Sequence, residues 1–303
     1  MQSGAYDKGA ITLEEANSRF QEVLREAECA QSSLECLRSR NVDELLKIES
    51  TISAGRIGSW HPVVDKISLH DKPTDLIAQG KYNNRSRILM GSTRDEFVSF
   101  ILPNNIISPS LNETDFDQHW LSQRLNDTEF TRFKEIYAPG NYEYPTNLGN
   151  YSQWYWTAMR AETDQVPGLG PCATRWLARM FEKGGTPAIY VYFFTHPMQS
   201  PYFLNSIPGT GPGTPFVPHG SDIPFVLGIR LALANSEKNL SMSMSKYWSH
   251  FAEEGTPNTF DLPAWPAFTR LQDEVLEFGT SSIHTQRNLR KGACDFWDEQ
   301  LLL

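Results

Sequence analysis

Two short segments of this 303-residue chain carry side chains that could move protons. The first, Gly91-Ser92-Thr93-Arg94-Asp95-Glu96-Phe97, follows an apolar run and places two carboxylates in one turn. The second, Pro218-His219-Gly220-Ser221-Asp222-Ile223-Pro224-Phe225-Val226-Leu227-Gly228, offers a histidine and another carboxylate. An imidazole titrates near neutrality, so it can take a proton from a hydroxyl nucleophile and return it to a leaving group. A carboxylate on its other nitrogen fixes the tautomer and stabilises the imidazolium. Each segment also has an ordinary structural reading. An Asp-Glu after a strand is commonly a helix N-terminus satisfied by the helix dipole, and a His-Gly in a loop is commonly incidental. Only a scaffold that brings the two loops together makes them a site.

The pattern along the chain predicts such a scaffold. Arg87–Gly91 is a short apolar run ending in glycine, the profile of a buried parallel strand. Ala188–Phe194, rich in β-branched and aromatic residues, is a stronger strand after Gly184-Gly185-Thr186-Pro187. Helices are expected over 13–30 with Thr12 as cap and Glu15 three residues on, and over 42–48 after Asn41. Further helices are expected over 115–125, 129–136, 172–183, 243–253 and 293–302, with 201–218 as a Pro/Gly-rich loop. Strands alternating with helices imply an α/β fold with a mostly parallel sheet, whose reactive groups sit on loops beyond the carboxyl ends of the strands. No repeat or linker interrupts the chain, so it reads as one domain, 1–303.

Composition narrows the function classes. Thirty-six acidic against 27 basic residues give a net charge of −9, and the basic residues are scattered, which disfavours a nucleic-acid partner. The apolar stretches 188–194 and 223–234 are too short to span a bilayer, so no transmembrane segment is expected. The opening Met-Gln-Ser-Gly-Ala-Tyr-Asp has no basic or apolar region of a signal peptide. Yet five glycosylation acceptors begin at Asn84, Asn112, Asn126, Asn150 and Asn239, and glycosylation requires the secretory route. Cys29, Cys36, Cys172 and Cys294 match no zinc pattern and fit either two disulfides or four buried thiols. No histidine spacing suits a metal, so no metal is expected.

Taken in order, the motifs resemble those of the type-B carboxylesterases, the cholinesterase-like branch of the α/β-hydrolases. Gln2-Ser3-Gly4 is similar to the family's Q-S-G, and Trp60-His61-Pro62-Val63-Val64-Asp65 to its G-P-V-x-D-G. Gly91–Glu96 resembles G-x-x-x-D-E-G, with Phe97 in place of the last glycine, and His219–Gly228 resembles H-G-x-E/D-x-x-[FY]-V-x-G. Tyr247–Asn258 resembles Y-W-x-x-F-A-x-x-G-x-P-N, followed by Trp265-Pro266 and Cys294-Asp295-Phe296-Trp297. Each is modestly specific, but together they keep family order from residue 2 to residue 297.

The resemblance implies roles. Glu96 falls on the acid of a Ser-His-Glu triad and His219 on its general base, while Ser3 and Asp222 fall on groups that orient them. It also implies the bridges Cys29–Cys36 and Cys172–Cys294, a small carboxylic ester as substrate, and no cofactor, since triad chemistry needs none. No G-x-S-x-G occurs in the chain, nor does the family's glycine-rich oxyanion loop or its E-D-C-L segment. In the family these precede Q-S-G. The expectation is therefore the C-terminal part of an α/β-hydrolase fold, with helices on both sheet faces and the N-terminal strands and nucleophile elbow absent. A half-sheet with an open edge beside Gln2 and Ser3 should result. Such a piece of a secreted ester hydrolase carries acid and base but not the serine, and is expected to be inactive as it stands. The alternative is a non-catalytic cholinesterase-like extracellular binding or adhesion domain. Trp154, Tyr155, Trp156, Tyr192, Phe193, Phe194 and Phe203 could line an ester pocket, although aromatics beside strands are more commonly core.

Overall fold

The computed structural model describes residues 1–4, 10–30, 33–53, 60–101, 107–121, 125, 127–140, 149–199 and 213–300. The Cα packing groups them into two compact units, one from Asp7 to Ile77 and the other comprising Met1–Tyr6 with Ala78–Leu303.

In the smaller unit, strand β1 (Ile11–Thr12) pairs in parallel with β2 (Val63–Val64). Helix Leu13–Glu26 starts at Thr12 through the expected capping box, with the Glu15 amide donating to the Thr12 hydroxyl and Glu15 Oε2 accepting from the Thr12 amide. It ends at Glu26, four residues before the expected end, because the chain turns there into the Cys29–Cys36 disulfide (Cα–Cα 5.8 Å). Helix Val42–Ser53 begins with the Glu44 amide donating to Asn41 Oδ1 and runs five residues longer than its pattern indicated.

The larger unit holds a four-stranded sheet in the order β3 (Ile88–Thr93), β4 (Ile189–Phe194), β5 (Glu274–Phe278) and β6 (Ile283–Arg287). The first three are parallel, and β6 returns antiparallel to β5. On the outer side of β3, residues 1–3 add a short parallel stretch: the Ser3 amide donates to the Gly91 carbonyl at 2.8 Å and the Gly91 amide to the Met1 carbonyl at 3.2 Å. Among the described residues nothing pairs with the far side of this stretch.

Strand β4 is buried along its whole length, so each face of the sheet has its own core. Side chains alternate. Tyr190, Tyr192 and Phe194 pack with Phe225, Tyr247, Trp265, Leu276 and Phe278 on one face. Helix Pro171–Lys183 packs on β3 and β4. Cys172 of that helix is bonded to Cys294 of helix Lys291–Gln300 (Cα–Cα 4.8 Å). Arg175 adds ion pairs between the same helices, to Asp295 at 2.8 Å and Asp298 at 2.7 Å. Both bridges are therefore those the family resemblance implied.

Several elements differ from expectation. Gln153–Asp164 is a helix that carries no amphipathic stripe, because nine of its twelve residues are buried. Strands β5 and β6 were also missed: acids at 274 and 277 break the apolar run in β5, and β6 is a polar edge. Residues 115–125 were expected as one α-helix, but Glu113–Asp115 is α-helical and Phe116–Leu121 is a π-helix. Of the aromatics, Tyr155, Trp156, Tyr192, Phe193 and Phe194 are core, Trp154 is half-buried, and Phe203 lies outside the described residues.

Candidate active site

Strand β3 delivers its carboxyl end into the turn Arg94–Phe97, and Glu96 points back into the protein, fully buried. Its two oxygens divide their partners. Oε1 accepts the Ser3 hydroxyl and the Thr93 amide, each at 2.6 Å, and Oε2 accepts His219 Nδ1 at 2.6 Å. The turn after Pro218 presents His219, and Gly220 (φ 81°) occupies the left-handed conformation that lets the chain reverse. The two loops singled out by sequence thus meet in one hydrogen bond.

That bond sets the tautomer. With Nδ1–H donating to the carboxylate, Nε2 keeps its lone pair, and it has no partner among the described residues. The ring is 38% exposed and packs against Phe100, with centroids 5.6 Å apart. Phe97, in the position of the family's glycine, packs on Phe100 in turn. The Glu96 hydrogen bond raises the basicity of His219. Burial opposes that rise, and the charges of Glu96 and Asp222 add to it.

Ser3 and Asp222 lie beside this pair, Ser3 through its bond to Glu96 and Asp222 through its charge near His219. Ser3 sits at φ 47°, an uncommon conformation for a residue with a side chain, and is fixed there by its amide and hydroxyl bonds. Asp222 is fully buried; its Oδ2 accepts Tyr192 Oη at 2.7 Å and Gln2 Nε2 at 2.9 Å. It stands at the N-cap of the short helix Ile223–Val226 yet makes no side-chain capping bond. Its place at the start of a helix therefore does not account for its hydrogen bonds.

Sequence reasoning missed three supports. Asp95 pairs with Arg160 at 3.0 Å and Arg94 at 2.8 Å, and exchanges bonds with both backbone groups of Val217, two residues before His219. Burial works against the charge of Asp95, but Arg160 and Arg94 outweigh it and hold the carboxyl below its usual range. Tyr192 and Gln2 were also overlooked. The position of Gln2 beside Ser3, in the same motif, was the available signal. A cavity of about 530 Å³ lies near Arg94, Arg160, Phe193, Glu277 and Arg290, but neither Glu96 nor His219 lines it.

A profile of the carboxylesterase family matches residues 1–297. The chain belongs to the carboxylesterase family. That family is one of ester hydrolases with the α/β-hydrolase fold, in agreement with the parallel sheet and flanking helices. Among curated proteins, the acetylcholinesterase of Bungarus fasciatus is 27% identical over 99% of this chain and 50% of its own length. The cholinesterase of Mus musculus is 26% identical over 94% of the chain and 47% of its length. Carboxylesterase 5A of Canis lupus familiaris is 24% identical, over 96% of the chain and 49% of its length. The chain thus spans about half the length of the curated relatives it matches. In this carboxylesterase chain Asn84, Asn112, Asn150 and Asn239 are exposed, and Asn126 lies outside the described residues. No helix among the described residues is long and apolar enough to cross a membrane.

Proposed function

We propose that this chain supplies the acid–base half of a Ser-His-Glu carboxylic-ester hydrolase, with the nucleophilic serine and oxyanion donors contributed from outside these 303 residues. The observation that carries the reading is the buried Glu96 bonded to His219 Nδ1 while Nε2 stays unpartnered among the described residues. In the reaction, Nε2 takes the serine proton as the hydroxyl oxygen attacks the ester carbonyl. Glu96 stabilises the resulting imidazolium, which then protonates the departing alcohol oxygen as the acyl–oxygen bond breaks. Water repeats the cycle on the acyl-enzyme, releasing the carboxylic acid and restoring the serine. Ser3 and Asp222 orient the acid and the base. The substrate class is a small carboxylic ester. Two disulfides and four exposed sequons support passage through the secretory route.

Hydrolysis of a short-chain nitrophenyl ester tests the reading. Two proteins are compared: the chain alone, and a longer protein that contains it together with a G-x-S-x-G segment. Turnover is expected only from the longer protein and should be lost with Glu96→Gln or His219→Ala. Turnover by the chain alone that disappears with His219→Ala overturns the assignment of the nucleophile. A folded longer protein with no turnover supports a non-catalytic binding domain instead.

A further inference from the structure

We propose that Tyr192 is a positioning residue for His219: its hydroxyl fixes Asp222, and Gly91 is the opening that lets its ring reach across strand β3. The inference rests on the reading of His219 as the base and extends it to a residue that no motif marks.

The geometry begins at the sheet. Gly91 and Tyr192 are register partners on β3 and β4. A Cβ built on Gly91 would stand 2.3 Å from Cδ1 of the Tyr192 ring and 2.4 Å from the Tyr192 carbonyl oxygen. Any side chain there would expel the ring. The ring is further bounded by edge contacts with Trp248 at 5.1 Å and Phe278 at 6.2 Å. Held between a glycine and these rings, Tyr192 has one place for its hydroxyl, and there it donates to Asp222 Oδ2 at 2.7 Å. Burial, and next the charge of Asp222, push the phenol well above its usual range, so it stays a donor at any ordinary pH.

Asp222 in turn fixes the base. Its carbonyl accepts the amides of Phe225 and Val226, and the Ser221 amide bonds back to the Pro218 carbonyl, so residues 218–226 form one folded turn with His219 inside it. The second donor to Asp222 Oδ2 is Gln2, which pairs with Gly91 and precedes Ser3, the donor to Glu96. Gly91 therefore stands between the two arms that hold the histidine loop and its acid. Among the described residues, the titratable groups facing His219 are Glu96 and Asp222, and those facing Asp222 are Tyr192 and the Met1 amino group.

Tyr192→Phe removes the hydroxyl and keeps the ring. Asp222 then loses one of two donors to Oδ2 in a buried site where Oδ1 has no hydrogen-bond partner among the described residues, so its place is less secure. That loosening withdraws support from the imidazolium. The experiment follows the His219 ring proton by NMR titration of the 303-residue chain, with the signal assigned from the His219→Ala spectrum. Tyr192→Phe should lower the midpoint by about half a pH unit, Asp222→Asn should lower it as well, and Tyr192→Phe should add nothing in the Asp222→Asn background. An unmoved midpoint in Tyr192→Phe overturns the proposal, as does a full further shift in the Asp222→Asn background. Should Tyr192→Phe fail to fold, 3-fluorotyrosine at position 192 offers a stronger donor in the same ring. It should move the midpoint upward, and no movement overturns the proposal. Glu96→Gln separates the two levels. If it too leaves the midpoint unmoved, the acid–base reading fails; if only the Tyr192 change is silent, the present inference fails alone.

Discussion

Replacing Asp95 by asparagine tests how the acid turn and the histidine loop are fastened together. The wild-type carboxylate is wholly buried between Arg160, itself 2% exposed, and Arg94, and it accepts the Val217 amide at 2.9 Å. Asparagine keeps the shape and one acceptor but leaves the Arg160 charge buried without this carboxylate. Breaking a buried pair from one side costs about 3–5 kcal/mol, and the partial exposure of Arg94 places the expectation at the lower end, about 3 kcal/mol. The assay is urea unfolding of both proteins followed by tryptophan fluorescence at a series of pH values. Asp95 has a depressed folded pKa, so its contribution is present above the unfolded value of about 3.9 and is lost as pH falls through the folded one. The wild-type advantage should be level from pH 7 to about pH 4 and shrink below that. A difference under about 1 kcal/mol at pH 7, or one that grows on acidification, would refute the reasoning.

His219 has the opposite sign, because its folded pKa is raised. The stability difference between wild type and His219→Gln should be fullest below about pH 6.5 and fade as pH rises through the folded midpoint, staying under about 1 kcal/mol for so exposed a ring. Denaturant unfolding at pH 6 and pH 9 checks this. Loop-closure entropy over 122 residues gives the Cys172–Cys294 bridge an upper worth of about 5 kcal/mol, against about 2.4 kcal/mol over 7 residues for Cys29–Cys36. Paired Cys→Ala variants compared by urea midpoint should keep that order. Thr12→Ala removes one half of the capping box and should cost about 1 kcal/mol, read as lost helical circular dichroism on heating. Gly91→Ala should cost far more than an ordinary strand glycine substitution, because the added carbon meets a ring and a carbonyl at once; the thermal midpoint reports it.

Much of the site was legible because its parts are local. Glu96 and His219 each sit in a turn whose residues are contiguous; the first turn follows β3 directly and the second lies 25 residues beyond the end of β4. The capping box at Thr12 is likewise written within four residues. What escaped is non-local. The role of Asp95 depends on Arg160, 65 positions away on a helix that is buried nearly all round and so lacks the periodicity that would reveal it. Tyr192 reads as a core aromatic, and by its ring it is one; only its hydroxyl meets Asp222, thirty residues on. Strand β5 hid behind Glu274 and Glu277, whose charges are satisfied by Arg287 and Thr195 from other segments.

The two disulfides also differ in when they can form during biosynthesis. Cys29 and Cys36 are seven residues apart and emerge from a ribosome almost together, so that loop can close while the chain is short. Cys172 must wait for a partner made 122 residues later, about 6 to 24 seconds at ordinary rates of synthesis. In an oxidising compartment its thiol is exposed to mispairing throughout that interval, because helix Pro171–Lys183 has no C-terminal helix to cover it. Within these 303 residues, prior closure of the Cys29–Cys36 loop leaves Cys172 no earlier cysteine to attack except by exchange. The spacing thus gives this chain an order of oxidation, short loop first, that a pulse-chase of trapped thiols would display as two separate steps.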